Sequence, residues 1–238
     1  MGQIDSNKKI GIVGCGGNGQ IAAQMLASLG YSLILVDGDT VEATDLSRQT
    51  LFSERDIKKN KAVACSEKII CLSGNQKIKF HEKYLDSYNI DEILDGVDLI
   101  IDATDSFVTR KLMNEFSVKY RIPLIFSSSF GSFGQIKCVI PFKTSCLQCL
   151  FGEGHMSPLN CHYDRVLPYV PPAISANIVR FADQILQNNE MDGSLYFFDF
   201  TNIKIEKFTV NRRSNCSVCS IGRYEYLEDK KIIGRQFI

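Results

Sequence analysis

Six residues near the start of the chain, Gly14-Cys15-Gly16-Gly17-Asn18-Gly19, follow the apolar run Ile10–Val13 and lead into a stretch with helical spacing. A glycine turn that opens a helix presents unpaired backbone N–H groups and the positive end of the helix dipole, which suits a phosphate. Gly14, Gly16, Gly17 and Gly19 carry no side chain to keep that phosphate off the backbone. The next apolar run, Leu33–Val36, closes on Asp37, where a carboxylate can accept hydrogen bonds from ribose hydroxyls. This unit predicts a nucleotide site but does not choose between NAD, FAD and ATP.

Charged residues downstream narrow the choice. Asp37-Gly38-Asp39-Thr40-Val41 is followed by Arg48-Gln49-Thr50-Leu51-Phe52, and Lys61 lies thirteen residues beyond Arg48. A guanidinium and an ammonium on one loop and the following helix suit polyphosphate, although single lysines and arginines are usually solvated surface. Asp105 stands at the end of the fourth predicted strand, at the sheet edge where ligands of such folds bind. A carboxylate there can ligate Mg²⁺, and Asp105 or Ser106 can cap the helix that follows. Cys146-Leu-Gln-Cys149 and Cys216-Ser-Val-Cys219 offer four thiolates, the set for a tetrahedral zinc ion with no open position and hence a structural one. A redox dithiol is the alternative reading of either pair.

The elements that must position these residues alternate. Ile21, Met25 and Leu29, with Ala22 and Leu26 beside them, predict the buried stripe of a first helix. Helical spacing over 60–71, a weak strand at 78–81, a short helix over 89–94 and a strand over 97–101 follow. A helix through Val108, Leu112 and Phe116 and a strand over 123–126 complete the series. Such alternation predicts an α/β fold, a doubly wound Rossmann-type, mainly parallel sheet. After Gly134 come a strand over 135–140, an irregular cysteine- and proline-containing stretch, and a helix through Ile174, Ile178, Phe181 and Ile185. Two alternating runs, 195–200 and 203–210, then predict a hairpin, so antiparallel strands and a structural zinc knuckle extend the sheet. We divide the chain into a nucleotide-binding half, 1–140, a zinc-stapled part of the same domain, 141–219, and a tail, 220–238. Tyr224-Glu225-Tyr226-Leu227 in that tail alternates like an edge strand or a partner-binding segment.

Lysine plus arginine equals aspartate plus glutamate at 27 each, so no basic field calls for nucleic acid. No apolar run reaches the ~20 residues of a membrane span. Nine cysteines, an odd number without a signal peptide, point to a reducing, cytoplasmic compartment rather than a disulfide framework. Cys15, Cys65, Cys71 and Cys138 fall in predicted core elements as small apolar fillers. Met1-Gly2-Gln3-Ile4-Asp5-Ser6 reads as a polar lead-in and also fits the short N-myristoylation pattern.

Taken jointly, the glycine loop, Asp37-Gly38-Asp39-Thr40-Val41, Arg48-Gln49-Thr50-Leu51-Phe52 with Lys61, Asp102-Ala103-Thr104-Asp105 and both cysteine pairs make the chain resemble one family. It is that of the ubiquitin-activating-enzyme-like adenylyltransferases (ThiF/MoeB/HesA), over about residues 10–219. The resemblance implies ATP over Gly14–Gly19, with Asp37 and Asp39 on the ribose side. It implies Arg48, Gln49 and Lys61 on the phosphates, and Asp105 on Mg²⁺. It also implies a homodimer that adenylates the C-terminal carboxylate of a small ubiquitin-like or sulfur-carrier protein. Cys161 resembles the cysteine that takes up sulfur or attacks the adenylate in sulfur-transfer members; in members that only adenylate, a cysteine there has no such role. Three departures stand out: no arginine precedes the first strand, Asp45 replaces the usual asparagine before Arg48-Gln49, and Ser106 replaces another asparagine. Alternative readings are a peptide or tRNA carboxylate as acceptor, a nucleotide-binding scaffold without catalysis, and an NAD-dependent oxidoreductase.

Overall fold

The computed structural model describes residues 7–152 and 166–228. The lipidation pattern at Met1–Ser6, the candidate Cys161 with its neighbour His162, and residues 229–238 lie outside them. Eight strands form one sheet: β1 Lys9–Val13, β2 Ser32–Val36, β3 Ile78–His81, β4 Leu99–Asp102, β5 Leu124–Phe130, β6 Phe133–Val139, β7 Leu195–Asp199 and β8 Lys204–Phe208. Their order is β3-β2-β1-β4-β5-β6-β7-β8, parallel from β3 to β5 and antiparallel from there on. The chain first leaves β1 toward β2 and later returns to β4 on its other side, and the crevice between those two directions is where open α/β sheets bind ligands. Val13 pairs with both Val36 and Asp102, so the loops that begin at Gly14, Asp37 and Ala103 leave the sheet at one level.

Alternate strand residues feed two separate cores. Ile10, Ile12, Leu33, Leu35, Ile101 and Ile125 face one side, where helices α1 Gly17–Ser28, α2 Lys61–Ser73 and α6 Val170–Leu186 pack. Val13, Ile34, Val36, Ile100, Leu124 and Phe126 face the other, against α3 Ile90–Ile93, α4 Phe107–Tyr120 and α5 Leu147–Phe151. Burial on both faces is why the central strands read as continuous apolar runs.

Three sequence expectations change. The buried stripe of α1 is Ala22, Ala23, Leu26 and Ala27, whereas Met25 and Leu29 are exposed. Small side chains let this helix approach both the sheet and α6, and the larger ones turn outward. Cys71 is on the outer face of α2 rather than in the core. The tail forms a short helix, α7 Glu225–Glu228, in place of an edge strand, and the Glu115 carboxylate on α4 accepts the Leu227 N–H at 2.9 Å. β5 also runs past Phe126 through Ser127-Ser128-Ser129, a polar extension held by antiparallel pairing with β6. Pro171 and Pro172 lie in the first turn of α6, where the missing N–H groups have no helical partner to lose.

Candidate functional site

The glycine loop is closed on itself at van der Waals limits. Gly14 has φ +93°, a left-handed conformation, and a Cβ there would lie 2.6 Å from the Ala103 carbonyl oxygen. A Cβ at Gly19 would lie 1.8 Å from the Gly14 carbonyl oxygen, so no side chain can replace hydrogen at that position. α1 starts without a side-chain cap, which leaves its first-turn N–H groups for a ligand. Asn18 fixes the loop from behind: its Oδ1 accepts from Ser129 Oγ at 2.7 Å, and its carbonyl accepts from Ser175 Oγ at 2.8 Å.

Asp37, at the end of β2, is oriented by two backbone donors, Cys15 N at 2.7 Å and Asp39 N at 2.8 Å. Burial pushes its carboxyl up to about 6, against the pull of these two hydrogen bonds. The next loop is tied to it at several points. Asn60 donates from Nδ2 to the Asp37 carbonyl at 2.9 Å and caps α2 through Ala62 N and Val63 N, which sets Lys61 as the first residue of that helix. Lys61 N also donates to the Asp39 carbonyl at 2.8 Å. Tyr84 O–H reaches Asp39 Oδ1 at 2.5 Å, its ring lying against Gly38.

Arg48, Gln49 and Lys61 meet at one buried carboxylate, Asp45. Its Oδ1 accepts from Arg48 Nη2 at 3.0 Å and Gln49 Nε2 at 2.8 Å; its Oδ2 accepts from Glu42 N at 3.1 Å and lies 3.3 Å from Lys61 Nζ. Lys61 also lies 3.5 Å from Asp39 Oδ2. Burial works against the Lys61 charge, but Asp37, Asp45 and Asp39 outweigh it and hold the ammonium above its ordinary pKa. This group faces the glycine loop: ideal Cβ atoms at Gly16 and Gly17 would lie 3.9 Å from Gln49 Nε2 and 3.8 Å from the Arg48 carbonyl oxygen. Gln49 Oε1 and Gln20 Nε2 are buried here without a hydrogen-bond partner among the described residues.

Across the crevice β4 ends at Asp102, three residues before Asp105. The fully buried Asp102 carboxylate accepts from Arg110 Nε at 2.8 Å, Thr104 N at 3.0 Å and Thr104 Oγ1 at 2.9 Å. Arg110 in turn donates to the Thr104 carbonyl at 2.5 Å and stacks 4.5 Å above the Phe126 ring. Ser106, not Asp105, caps α4, accepting from Thr109 N at 3.2 Å, and Asp105 stays exposed. In the sequence Asn18 and Asp102 stand only as motif members without roles of their own, Asp45 stands only as a departure from asparagine, and nothing marks Arg110 by itself. The eight-residue spacing from Asp102 to Arg110, strand end to first helical turns, is the one local signal of that pair.

Cys146, Cys149, Cys216 and Cys219 lie buried with their sulfurs all within 4.8 Å of one another. The separations of 3.5 Å for Cys149–Cys219, 3.6 Å for Cys146–Cys216 and 4.0 Å for Cys146–Cys149 bracket the ~3.8 Å edge of a tetrahedron with 2.3 Å metal–sulfur bonds. Arg213 N also donates to Cys149 Sγ at 3.4 Å. The cluster can hold a metal ion and joins the start of α5 to the Ser217–Ile221 turn.

Comparison with known proteins matches residues 3–218 to the ThiF family. The SAMP-activating enzyme E1 of Haloferax volcanii is 29% identical over 234 residues, which cover 96% of this chain and 86% of that protein. The sulfur carrier protein ThiS adenylyltransferase of Escherichia coli K12 is 28% identical over 87% of this chain and 84% of its own length. Adenylyltransferase and sulfurtransferase MOCS3 of Drosophila persimilis is 32% identical, but the chain spans only 50% of it. Among solved structures, E. coli MccB with ATP shares the fold at a TM-score of 0.78 and 22% identity, over 90% of this chain and 67% of that one. No helix among the described residues is long and apolar enough to cross a membrane. The family match spans nearly the whole chain, and the chain belongs to the ThiF family.

Proposed function

We propose that the chain uses ATP to adenylate the C-terminal carboxylate of a small ubiquitin-like or sulfur-carrier protein, with release of pyrophosphate. The observation that carries this reading is the gathering of Arg48, Gln49 and Lys61 around Asp45 beside the glycine loop, with Asp105 exposed, in a chain whose relatives include the ThiS adenylyltransferase. Asp37 is held with its carboxylate oriented by two amides, as a ribose acceptor needs. The α1 N-terminus and the two cations are suited to the phosphates, and the exposed Asp105 carboxylate fits a magnesium ligand. When bound, Mg²⁺ would neutralise charge on the triphosphate. The acceptor carboxylate, ionised at neutral pH, attacks the α-phosphorus; the bond to the α–β bridging oxygen breaks, and pyrophosphate leaves with the electron pair. No general base is required, so alignment and charge neutralisation carry the rate.

We assign zinc to the four sulfurs as a structural ion, supported by the sulfur spacing and the buried, all-thiolate donor set. We also infer a homodimer and Cys161 as the thiol for any onward acyl or sulfur transfer, both supported by sequence resemblance, and a reducing, cytoplasmic setting, supported by the odd count of nine cysteines. A Cys161→Ala variant that adenylates and still transfers would remove the role of that thiol, and a strictly monomeric species in ultracentrifugation would remove the dimer. Mass spectrometry tests the main reading. Chain, ATP and a carrier ending in Gly-Gly should yield carrier-adenylate, and a carrier lacking the last glycine should not. Adenylate formed only on short peptides or on tRNA would reassign the acceptor.

A further inference from the structure

Asp45 is the most heavily engaged group near the glycine loop. Its carboxylate receives Arg48 Nη2, Gln49 Nε2, Glu42 N and Lys61 Nζ, two on each oxygen, and its side chain is only 5% exposed. Both oxygens are therefore saturated within the chain, which leaves no acceptor for a metal ion. The Arg48 side chain is 38% exposed and spends its other terminal nitrogen on the Thr44 carbonyl at 3.1 Å, so it has room to swing. Gln49, beside them, spends its Nε2 on Asp45, and its buried Oε1 has no hydrogen-bond partner among the described residues.

A carboxylate receiving a guanidinium and an ammonium has the charge and acceptor geometry of one phosphate face. We propose that Asp45 is an internal substitute for a phosphate: it holds Arg48 and Lys61 when no nucleotide is bound, and the nucleotide's phosphates must draw both cations away from it. This proposal rests on the reading that the phosphates bind at the glycine loop. It makes Asp45 a positioning residue with an electrostatic cost. The carboxylate keeps the clamp folded inward and ordered, and it also competes with the incoming anion and repels it. Asparagine at 45 would keep the size and an oxygen acceptor for Arg48 and Gln49 while removing the charge.

The test is calorimetric titration of the full chain with ATP, with and without Mg²⁺, comparing native protein with Asp45→Asn at 0.05 and 0.5 M NaCl. The proposal predicts that the variant binds ATP about tenfold more tightly at low salt, equivalent to ~1.4 kcal/mol. The difference should shrink at high salt, because screening weakens competition between charges. Inorganic triphosphate should show the same gain, and adenosine none. Equal or weaker ATP binding by a variant that melts like the native chain overturns the proposal. Should the variant not fold, a structure of the native chain with a non-hydrolysable ATP analogue decides: Arg48 Nη2 more than about 4 Å from Asp45 Oδ1 supports the displacement, and an unchanged 3.0 Å contact contradicts it. Native protein that binds no ATP at all would remove the phosphate-site reading itself, and this proposal with it.

Discussion

Replacing Arg110 with methionine isolates one buried ion pair and, through it, the loop that carries Asp105. Asp102 is fully buried and the Arg110 side chain is 11% exposed, with 2.8 Å between Asp102 Oδ2 and Arg110 Nε. Removing one partner of such a pair leaves an uncompensated charge and costs about 3–5 kcal/mol. The contact over Phe126 adds on the order of 0.5–1 kcal/mol. The two hydrogen bonds from Thr104 to Asp102 survive and keep the loss from growing further. For a chain of this size, 3–5 kcal/mol lowers the melting temperature by about 6–20 °C. Urea titration of the native chain, Arg110→Met, Asp102→Asn and the double variant gives a double-mutant cycle. A coupling of at least ~2 kcal/mol is expected, because the second change removes the charge the first one strands. The Arg110 variant should also lose adenylation rate more than ATP affinity, since Arg110 ties down the Thr104 carbonyl just before Asp105. A loss below ~1 kcal/mol with an additive cycle would refute the reasoning.

Three further outcomes follow from the same geometry. Gly19→Ala sets a Cβ 1.8 Å from the Gly14 carbonyl oxygen, so the loop must open; ATP binding measured by calorimetry should disappear, and retention of native affinity would contradict the packing. The Asp37 carboxyl is raised from 3.8 to about 6, so its folded form binds a proton more tightly than its unfolded form does. Its stability contribution is complete below pH ~4 and is lost as pH rises through about 6. Glu115, raised to about 7 chiefly by burial, extends the same fall. ATP affinity should move the opposite way and weaken below pH 6, as Asp37 gives up its charge; parallel trends in the two titrations would count against Asp37 as the ribose acceptor. Finally, the purified chain should carry one zinc ion by elemental analysis, and Cys216→Ser should lose it and melt well below the native chain. An unchanged melting temperature without metal would remove its structural role.

Much of the fold was legible because the relevant signals are local. The strand, the glycine loop, helix α1 and Asp37 are contiguous in sequence, and each cysteine pair fits within one turn. The hairpin of β7 and β8 announced itself by alternation, since one turn links two neighbouring runs. What stayed hidden was polar and tertiary. Ser127 through Ser129 carry no apolar pattern, yet they extend β5 because β6 pairs with them, and Ser129 then holds Asn18 in the loop. The alanines of α1 lie inside and Met25 outside because close helix packing, which periodicity does not encode, decides the face. α7 forms where the Glu115 carboxylate, more than a hundred residues earlier, receives its Leu227 N–H. In the sequence Asp45 is visible only as a departure from the usual asparagine before Arg48-Gln49. Only the fold shows that the lysine and the arginine both turn toward it.

The claim on which the rest depends is that the glycine loop, Arg48, Lys61 and Asp105 together activate a carboxylate with ATP. ATP–pyrophosphate exchange measures that reaction directly, because labelled pyrophosphate returns to ATP only through a reversible adenylate. With a carrier protein ending in Gly-Gly, the native chain should exchange label, while Arg48→Ala and Asp105→Ala should each fall by at least about a hundredfold, the usual scale for losing a group that stabilises transition-state charge. Exchange by the native chain that is indifferent to both substitutions, or no exchange with any carboxylate acceptor, would contradict the account.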